Sequence, residues 1–575
     1  MLKLLRFLKP YAPLVAAILA LLFGQAMAEL YMPTIMSEVV NEGMLKGNND
    51  YILFQGSRML MVALLSSACA VTGSFISARV AMGFGRDLRD AVFTKVEGCS
   101  LASFEKIGTS SLITRTTNDI VQIQMVLVMM MRFMIYAPIM SVGGYIMAIS
   151  KDRELARVLY VAIPLLLALM GFTANYAMPL FIGMQKRLDN LNLVMRESLT
   201  GIRVIRAFNK LEREYERFEK ANDELTSNAI RINKIMATMQ PIMMLMMHAV
   251  TISIIWFGGL RIDTGSLGLG DMMAFMQYAM QILFSFIMVS ITFIMLPRAQ
   301  ASATRINEAL ELTDDIADPV NPVADFHRRG SVRYENVGFR YPGSEEHVLR
   351  DINFETGPGE VSAIIGGTGS GKSTLINLLP RFYDVTEGRV LVDDVDVRDM
   401  TQETLRAKIG FIPQTAVLFS GTVSENIRTG KPDATDEEIR AAALTAQADG
   451  FIAATENGYE HIVSQGGANL SGGQKQRLSI ARALARRPEI YVFDDSFSAL
   501  DFKTDAMLRA ALKKETRDAA VIIVAQRVST VMDADRILVL DDGAQVGLGT
   551  HRDLMRSCPV YREIVLSQIS EEEAG

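Results

Sequence analysis

Residues 490–501 read IYVFDDSFSALD, an apolar, β-prone run that ends on two adjacent carboxylates, Asp494 and Asp495. A hard carboxylate oxygen at a strand end suits Mg²⁺, and its neighbour stands where an attacking water would be activated. Upstream, Gly366, Gly367, Thr368, Gly369, Ser370, Gly371, Lys372 and Ser373 spell GGTGSGKS and fit the pattern GxxxxGK[ST]. Glycines let backbone N–H groups close on phosphate oxygens, and a helix N-terminus adds a favourable dipole. Lys372 is placed to reach the β- and γ-phosphates, and Ser373, followed by Thr374, to meet Mg²⁺. Between the two stretches lies LSGGQ, residues 470–474. Together they point to a site for ATP and Mg²⁺.

These side chains need particular elements under them. A short β-branched run, 361–365, enters the glycine loop, and a helix over 373–379 leaves it. A strand over 409–413 delivers Gln414, placed to sense the γ-phosphate and Mg²⁺. The alternation of 331–339 predicts another strand, followed by Tyr341 in FRYPG; its ring could stack on adenine or serve as a plain strand aromatic. A helical subdomain is expected around 425–485. The fold class expected for 331–575 is an α/β P-loop nucleotide-binding domain.

The first 300 residues differ in kind. A membrane span needs about 20 mostly apolar residues, and six stretches qualify: 12–36, 57–82, 125–149, 156–182, 236–260 and 272–297. The N-terminus, with Lys3, Arg6 and Lys9, reads as the basic flank of a first span, because the apolar run behind it is too long for a cleaved signal. Two long connections are basic. One carries Arg86, Arg89, Lys95, Lys106 and Arg115, the other Lys186, Arg187, Arg203, Arg206, Lys210 and Arg213. The opposite connections, near 41–50, 151–157 and 261–271, are short. The bias places the long loops and both termini in the cytoplasm of a multi-pass protein of the cytoplasmic membrane. Few helix breakers occur in the long loops, so the spanning helices should continue beyond the bilayer. The domain boundaries expected are 1–312, a polar linker 313–330 with Pro319 and Pro322, and 331–575.

Six spans exclude a soluble protein of repair or translation, and the net charge of −6 argues against a nucleic-acid partner. Cys69, Cys99 and Cys558 have no metal-binding spacing. Glu29 and Arg132, ionisable residues in or near spans, should face a cavity or another helix. The 35 methionines include Met129–Met131 and could fill the core, face lipid or line an adaptable pocket.

Phosphate loop, Gln414, LSGGQ and the DD strand end resemble the nucleotide-binding domain of ATP-binding-cassette (ABC) transporters. Residues 103–119, 203–209 and 256–259 (WFGG) are similar to segments of the exporter-type, all-α, six-helix membrane domain of that family. The resemblance implies that two nucleotide domains sandwich two ATPs. Ser471, Gly472, Gly473 and Gln474 would then contact ATP bound to a partner, Asp501 would lie at the dimer seam, and Gln414 would couple the site to the membrane domain. It also implies short coupling helices within 103–108 and 201–209.

The chain departs from the family pattern at the chemistry. Asp495 replaces the usual glutamate, Gln526 the usual histidine, and Ser464 and Gln465 a common glycine and glutamate. Asp495 is therefore expected to be a weak base, and Gln526 cannot become cationic. The pattern resembles the degenerate half of bacterial heterodimeric multidrug exporters. It implies a second half-transporter as partner and a small amphipathic cargo exported from a lipid membrane. An exporter-fold importer, an ATP-gated channel or sensor subunit, and a slow homodimer are the alternatives.

Overall fold

Among the described residues, six helical segments are long and apolar enough to cross a membrane: Lys3–Met44, Asn49–Glu97, Thr109–Lys151, Arg157–Thr200, Leu211–Asp263 and Leu269–Val289. The computed structural model describes residues 1–312, 316–323 and 329–569. Four of the expected spans fall within these segments; 156–182 starts one residue before Arg157, and 272–297 runs past Val289. At 1.5 Å per residue the 49-residue helix Asn49–Glu97 extends about 73 Å, against a hydrocarbon core of about 30 Å. This helix thus runs far past a bilayer, as the scarcity of breakers in the long loops predicts.

The chain divides into two compact units, residues 1–97 with 109–311 and residues 98–108 with 312–575. In the helical unit, the ends joined by the short connections are tied by polar contacts. Asp271 accepts from Ser37 Oγ at 2.7 Å, Lys151 Nζ at 2.8 Å and Asn41 Nδ2 at 3.0 Å. Arg261 pairs with Asp152 at 2.8 Å.

Nearer the other end, the segment Thr109–Lys151 widens into a π-turn at Arg115–Asp119. Asp119 is 3% exposed there and accepts from Ser302 Oγ at 2.9 Å and Arg305 Nε at 2.7 Å. Arg305 is half exposed, so the variant Asp119→Ala leaves no buried charge behind and loses chiefly charge-assisted hydrogen bonds. It should remove about 2 kcal/mol of stability, read as a lower thermal midpoint of the full chain in detergent. Asp119→Asn, which keeps an acceptor oxygen, should lose less; parent-like stability in both variants would refute the account.

The second unit is built on a ten-stranded sheet. Its parallel centre runs Ile409–Ile412, Ile490–Asp494, Ala520–Val524, Val361–Gly366 and Arg536–Asp541. Ile490–Asp494 and Ala520–Val524 are buried along their whole length, as expected for parallel strands covered on both faces. Side chains alternate between two cores. Tyr491, Phe493, Val521 and Ile523 pack on one face, with the helices of residues 423–486 and the C-terminal helices. Ile490, Val492, Ile522 and Val524 pack on the other, with Leu375, Ile376 and the antiparallel strands Val332–Phe339 and Leu349–Thr356. Full burial of each such aliphatic contributes about 2 kcal/mol.

Part of the expected linker, 313–315 and 324–328, lies outside the described residues. The described part is strapped to the second unit: Gln402 donates to Ile316 O and to Asp318 Oδ1, and Val323 N donates to Asp399 O.

Candidate functional site

The parallel pairing is level at one end. Val524 registers with Asp494 and with Ile364, and Ile412 with Phe493. The carboxyl ends of four neighbouring strands therefore open on one place, where α/β sheets bind ligands. The glycine loop leaves the first, Gln414 the second, Asp494 and Asp495 the third, and Gln526 the fourth.

The loop follows strand Val361–Gly366 and enters helix Lys372–Leu378. Gly371 has φ +92°, and a Cβ there would meet Leu349 Cδ2 at 2.7 Å, so only glycine fits without strain. Gly367 and Gly369 are different: a Cβ at either meets nothing within 4 Å. Their open side leaves room for a ligand to approach the loop. Lys372 Nζ donates to Gly366 O at 2.9 Å and Gly367 O at 2.6 Å, with Ser370 Oγ at 3.5 Å. Burial pulls its ammonium below the ordinary lysine value, while the charges of Asp495 and Asp494 push the other way.

Ser373 Oγ donates to Asp494 Oδ1 at 3.1 Å. Asp494 is 7% exposed. Burial raises its pKa and the charge of Asp495 adds to the rise, while the Ser373 hydrogen bond and Lys372 oppose it. A cation would relieve that burial cost. Among the described residues no group of three or more His, Cys, Asp or Glu could hold a metal. The hydroxyl of Ser373 and the carboxylate of Asp494 are instead a partial oxygen set. That fits Mg²⁺, which keeps waters and takes substrate phosphate oxygens.

Asp495 sits in the left-handed region, φ +46°, with its N–H on Val524 O at 2.9 Å. Its Oδ2 accepts from Gln414 Nε2 at 3.3 Å and from Gln526 Nε2 at 3.1 Å. The three residues expected at the chemistry thus converge on one oxygen. Gln568, which sequence reasoning missed, braces this end: its Nε2 donates to Gln526 O at 2.8 Å and its Oε1 accepts from Val528 N at 2.9 Å. An exposed glutamine in a C-terminal segment gives no signal of such a role.

Tyr341 reaches the same region. Its hydroxyl lies 3.0 Å from Thr374 Oγ1, and its ring meets Tyr383 edge-on at 5.3 Å. The LSGGQ residues lie apart. Ser471 caps helix Gly472–Arg486, its hydroxyl accepting from Gln474 N while Gln474 Oε1 accepts from Ser471 N at 2.8 Å. Asp501 likewise caps Phe502–Glu515 through Thr504 N at 3.0 Å. Among the described residues no hydrogen bond joins Ser471, Gly472, Gly473, Gln474 or Asp501 to the glycine loop. Ser471, Gly472 and Asp501 are exposed.

In the helical unit, Glu29 accepts from Gln25 Nε2 at 2.9 Å, Ser66 Oγ at 3.4 Å and the Tyr136 hydroxyl. Its carboxylate is therefore engaged between helices. Arg132 is exposed, with its guanidinium 5.7 Å from the Phe133 ring.

The chain resembles known proteins along most of its length. Residues 15–286 match the family "ABC transporter transmembrane region" and residues 349–498 the family "ABC transporter". An "Uncharacterized ABC transporter ATP-binding protein" of Mycobacterium tuberculosis is 43% identical over 100% of this chain and 99% of its own. A "Fatty acid ABC transporter ATP-binding/permease protein" of Mycobacterium bovis is 32% identical over 83% of this chain and 75% of its own. A solved bacterial Atm1-family ABC exporter with ATP bound aligns at TM-score 0.79 and 26% identity, covering 97% of this chain and 98% of that one.

Proposed function

The chain belongs to the ABC transporter family as an exporter-type half-transporter using ATP and Mg²⁺, and on that premise we propose that it exports small amphipathic compounds as one half of a heterodimer. Its own ATP site is the weakly hydrolytic one. Lys372 and the loop amides hold the phosphates, and Ser373, Asp494 and Gln414 hold Mg²⁺, which neutralises phosphate charge when bound. Tyr341 stacks on the base. Asp495 orients the water, and Gln526 donates to the γ-phosphate. Ser471, Gly472, Gly473 and Gln474, with Asp501, complete the site on the partner, whose hydrolysis drives alternating access.

The observation that carries this reading is the state of Asp495. Its short carboxylate is shared by the amides of Gln414 and Gln526, neither of which can turn cationic as charge develops. A group misplaced by about 1 Å can lose on the order of 100-fold in rate. The loop helix Ile202–Ala207 supports a second chain. It buries no side chain, and Val204 and Phe208 are 60% and 72% exposed, an apolar tip that calls for a partner surface. The relative named as a fatty acid transporter supports an amphipathic cargo. The long basic loops support a cytoplasmic place for the nucleotide domain and both termini.

Purification of the tagged chain from its native membrane in mild detergent, with mass spectrometry of the stoichiometric partner, tests the assembly. The expected result is a different half-transporter at one-to-one, with glutamate and histidine at the two altered positions. Recovery of this chain alone, as copies of itself, would overturn the heterodimer.

A further inference from the structure

Gln526 lies just beyond strand Ala520–Val524, and helix Val528–Val531, only four residues long, follows it. So short a helix makes almost no hydrogen bonds of its own, and its first N–H groups need acceptors from elsewhere. Its N-cap residue is Arg527, whose side chain makes no cap bond and has no acceptor to offer. The guanidinium turns to other partners, donating to Ser498 O at 3.2 Å and lying 5.5 Å from the Phe502 ring. The missing acceptor comes from 40 residues along the chain: Gln568 Oε1 takes the Val528 N–H at 2.9 Å. The Nε2 of the same amide donates to Gln526 O at 2.8 Å. One side-chain amide thus closes on the backbone at both sides of Arg527, as a cap for the helix and a clamp on Gln526.

Gln568 is itself held in place. It follows helix Pro559–Leu566, and its N–H bonds to Val565 O at 3.0 Å. Tyr561 and Val565 of that helix are fully buried, in one core with Val528, Val531 and Ile523, and Ile569 packs on the same core. The backbone before Gln526 is fixed by the sheet, where Ala525 N donates to Ile364 O at 3.3 Å. The backbone after it has the four-residue helix and Gln568. Between these two supports, Gln526 Nε2 is aimed at Asp495 Oδ2, 3.1 Å away.

We propose that Gln568 is a positioning residue, which sets the direction of the Gln526 amide toward the γ-phosphate at this chain's own site. The proposal rests on the reading of Gln526 as the γ-phosphate donor. Hydrogen bonds weaken steeply as they bend, so a freed Gln526 backbone costs the bond to that phosphate first. The phosphate loop, the Mg²⁺ residues and Tyr341 have no bond to Gln568 among the described residues. ADP lacks the γ-phosphate, and its binding reads those other contacts alone. Gln568 therefore governs the preference for a triphosphate over a diphosphate and leaves affinity for nucleotide in general unchanged.

Equilibrium binding of the non-hydrolysable ATP analogue AMP-PNP and of ADP, each with Mg²⁺, makes the test on the full-length complex in lipid nanodiscs, with the partner's phosphate-loop lysine replaced. Gln526→Ala should cut the preference for AMP-PNP over ADP about tenfold or more. Gln568→Ala should cut it about fivefold and leave ADP affinity unchanged. Gln568→Glu keeps the acceptor for Val528 N, and so the helix cap, but sets a carboxylate against Gln526 O. It should lose the preference as the alanine variant does, and it decides the matter if that variant does not assemble. Adding Gln568→Ala to Gln526→Ala should change nothing further. Equal weakening of both nucleotides, an unchanged preference in either Gln568 variant, or a further loss in the double variant overturns the positioning role while leaving Gln526 in place. If Gln526→Ala keeps the preference, the γ-phosphate reading falls and the positioning role falls with it.

Discussion

A complex carrying Ser471→Arg in this chain should hydrolyse ATP at about a hundredth of the parent rate or less, while ATP still binds this chain's own phosphate loop. Ser471 is the N-cap of a 15-residue helix, held in a reciprocal pair with Gln474. The next two residues are glycines, so the first N–H groups of that helix lie open. A Cβ on Gly472 would meet nothing within 4 Å. Exposed N–H groups at a helix start favour an oxyanion, and the glycine loop of the same chain makes no hydrogen bond to them. In the proposed assembly they face the partner's ATP. Arginine would fill that space and break the cap. Loss of the cap alone costs about 1 kcal/mol, so Ser471→Ala, which opens the cap without filling the space, should keep most of the rate and report on folding. Initial-rate ATPase of the purified complex, with photolabelling of this chain by an ATP analogue, reads both effects. Retention of more than a third of the rate by Ser471→Arg would remove the motif from the working site.

The order of the site along the chain was legible because phosphate chemistry constrains it locally. A loop that wraps phosphate needs glycines in series, an apolar strand before it and a helix after it, and 361–379 carries all three. The observed strand Val361–Gly366 and helix Lys372–Leu378 differ from expectation by one residue at their ends. The spans were legible for a similar reason, since a bilayer demands unbroken apolar length. What stayed hidden depends on partners distant in sequence. The π-turn at Arg115–Asp119 sits where Asp119 meets Arg305, 186 residues away. Tyr383 and Glu105 meet across 278 residues, and neither residue type stands out where it occurs. The hydrogen bonds of Gln414 and Gln526 to one oxygen of Asp495 are likewise set by packing at the sheet end, which no local pattern encodes.

The double variant Asp495→Glu, Gln526→His should raise hydrolysis at this chain's own site by roughly 100-fold. The reasoning is geometric first. Asp495 follows a fully buried strand and is pinned by its N–H to Val524 O, so its backbone cannot move toward the nucleotide. Only a longer side chain can close a gap of about 1 Å, the scale on which such rates fall by two orders of magnitude. Histidine at 526 then adds what the amide lacks, a ring that can become cationic near neutral pH as charge builds on the phosphate. The change has a structural cost. Left-handed φ is mild for aspartate but costs most other residues about 1–2 kcal/mol, and Asp495 has φ +46°. The glutamate variants should therefore melt slightly lower even as they turn over faster. Single-turnover ATP hydrolysis, with the partner's catalytic carboxylate removed, isolates the effect. Asp495→Glu alone should give an intermediate gain, because the longer carboxylate still faces a neutral amide at Gln526. If both variants hydrolyse at the parent rate, the short carboxylate is not what limits this site, and the division of labour between two unequal ATP sites loses its physical basis.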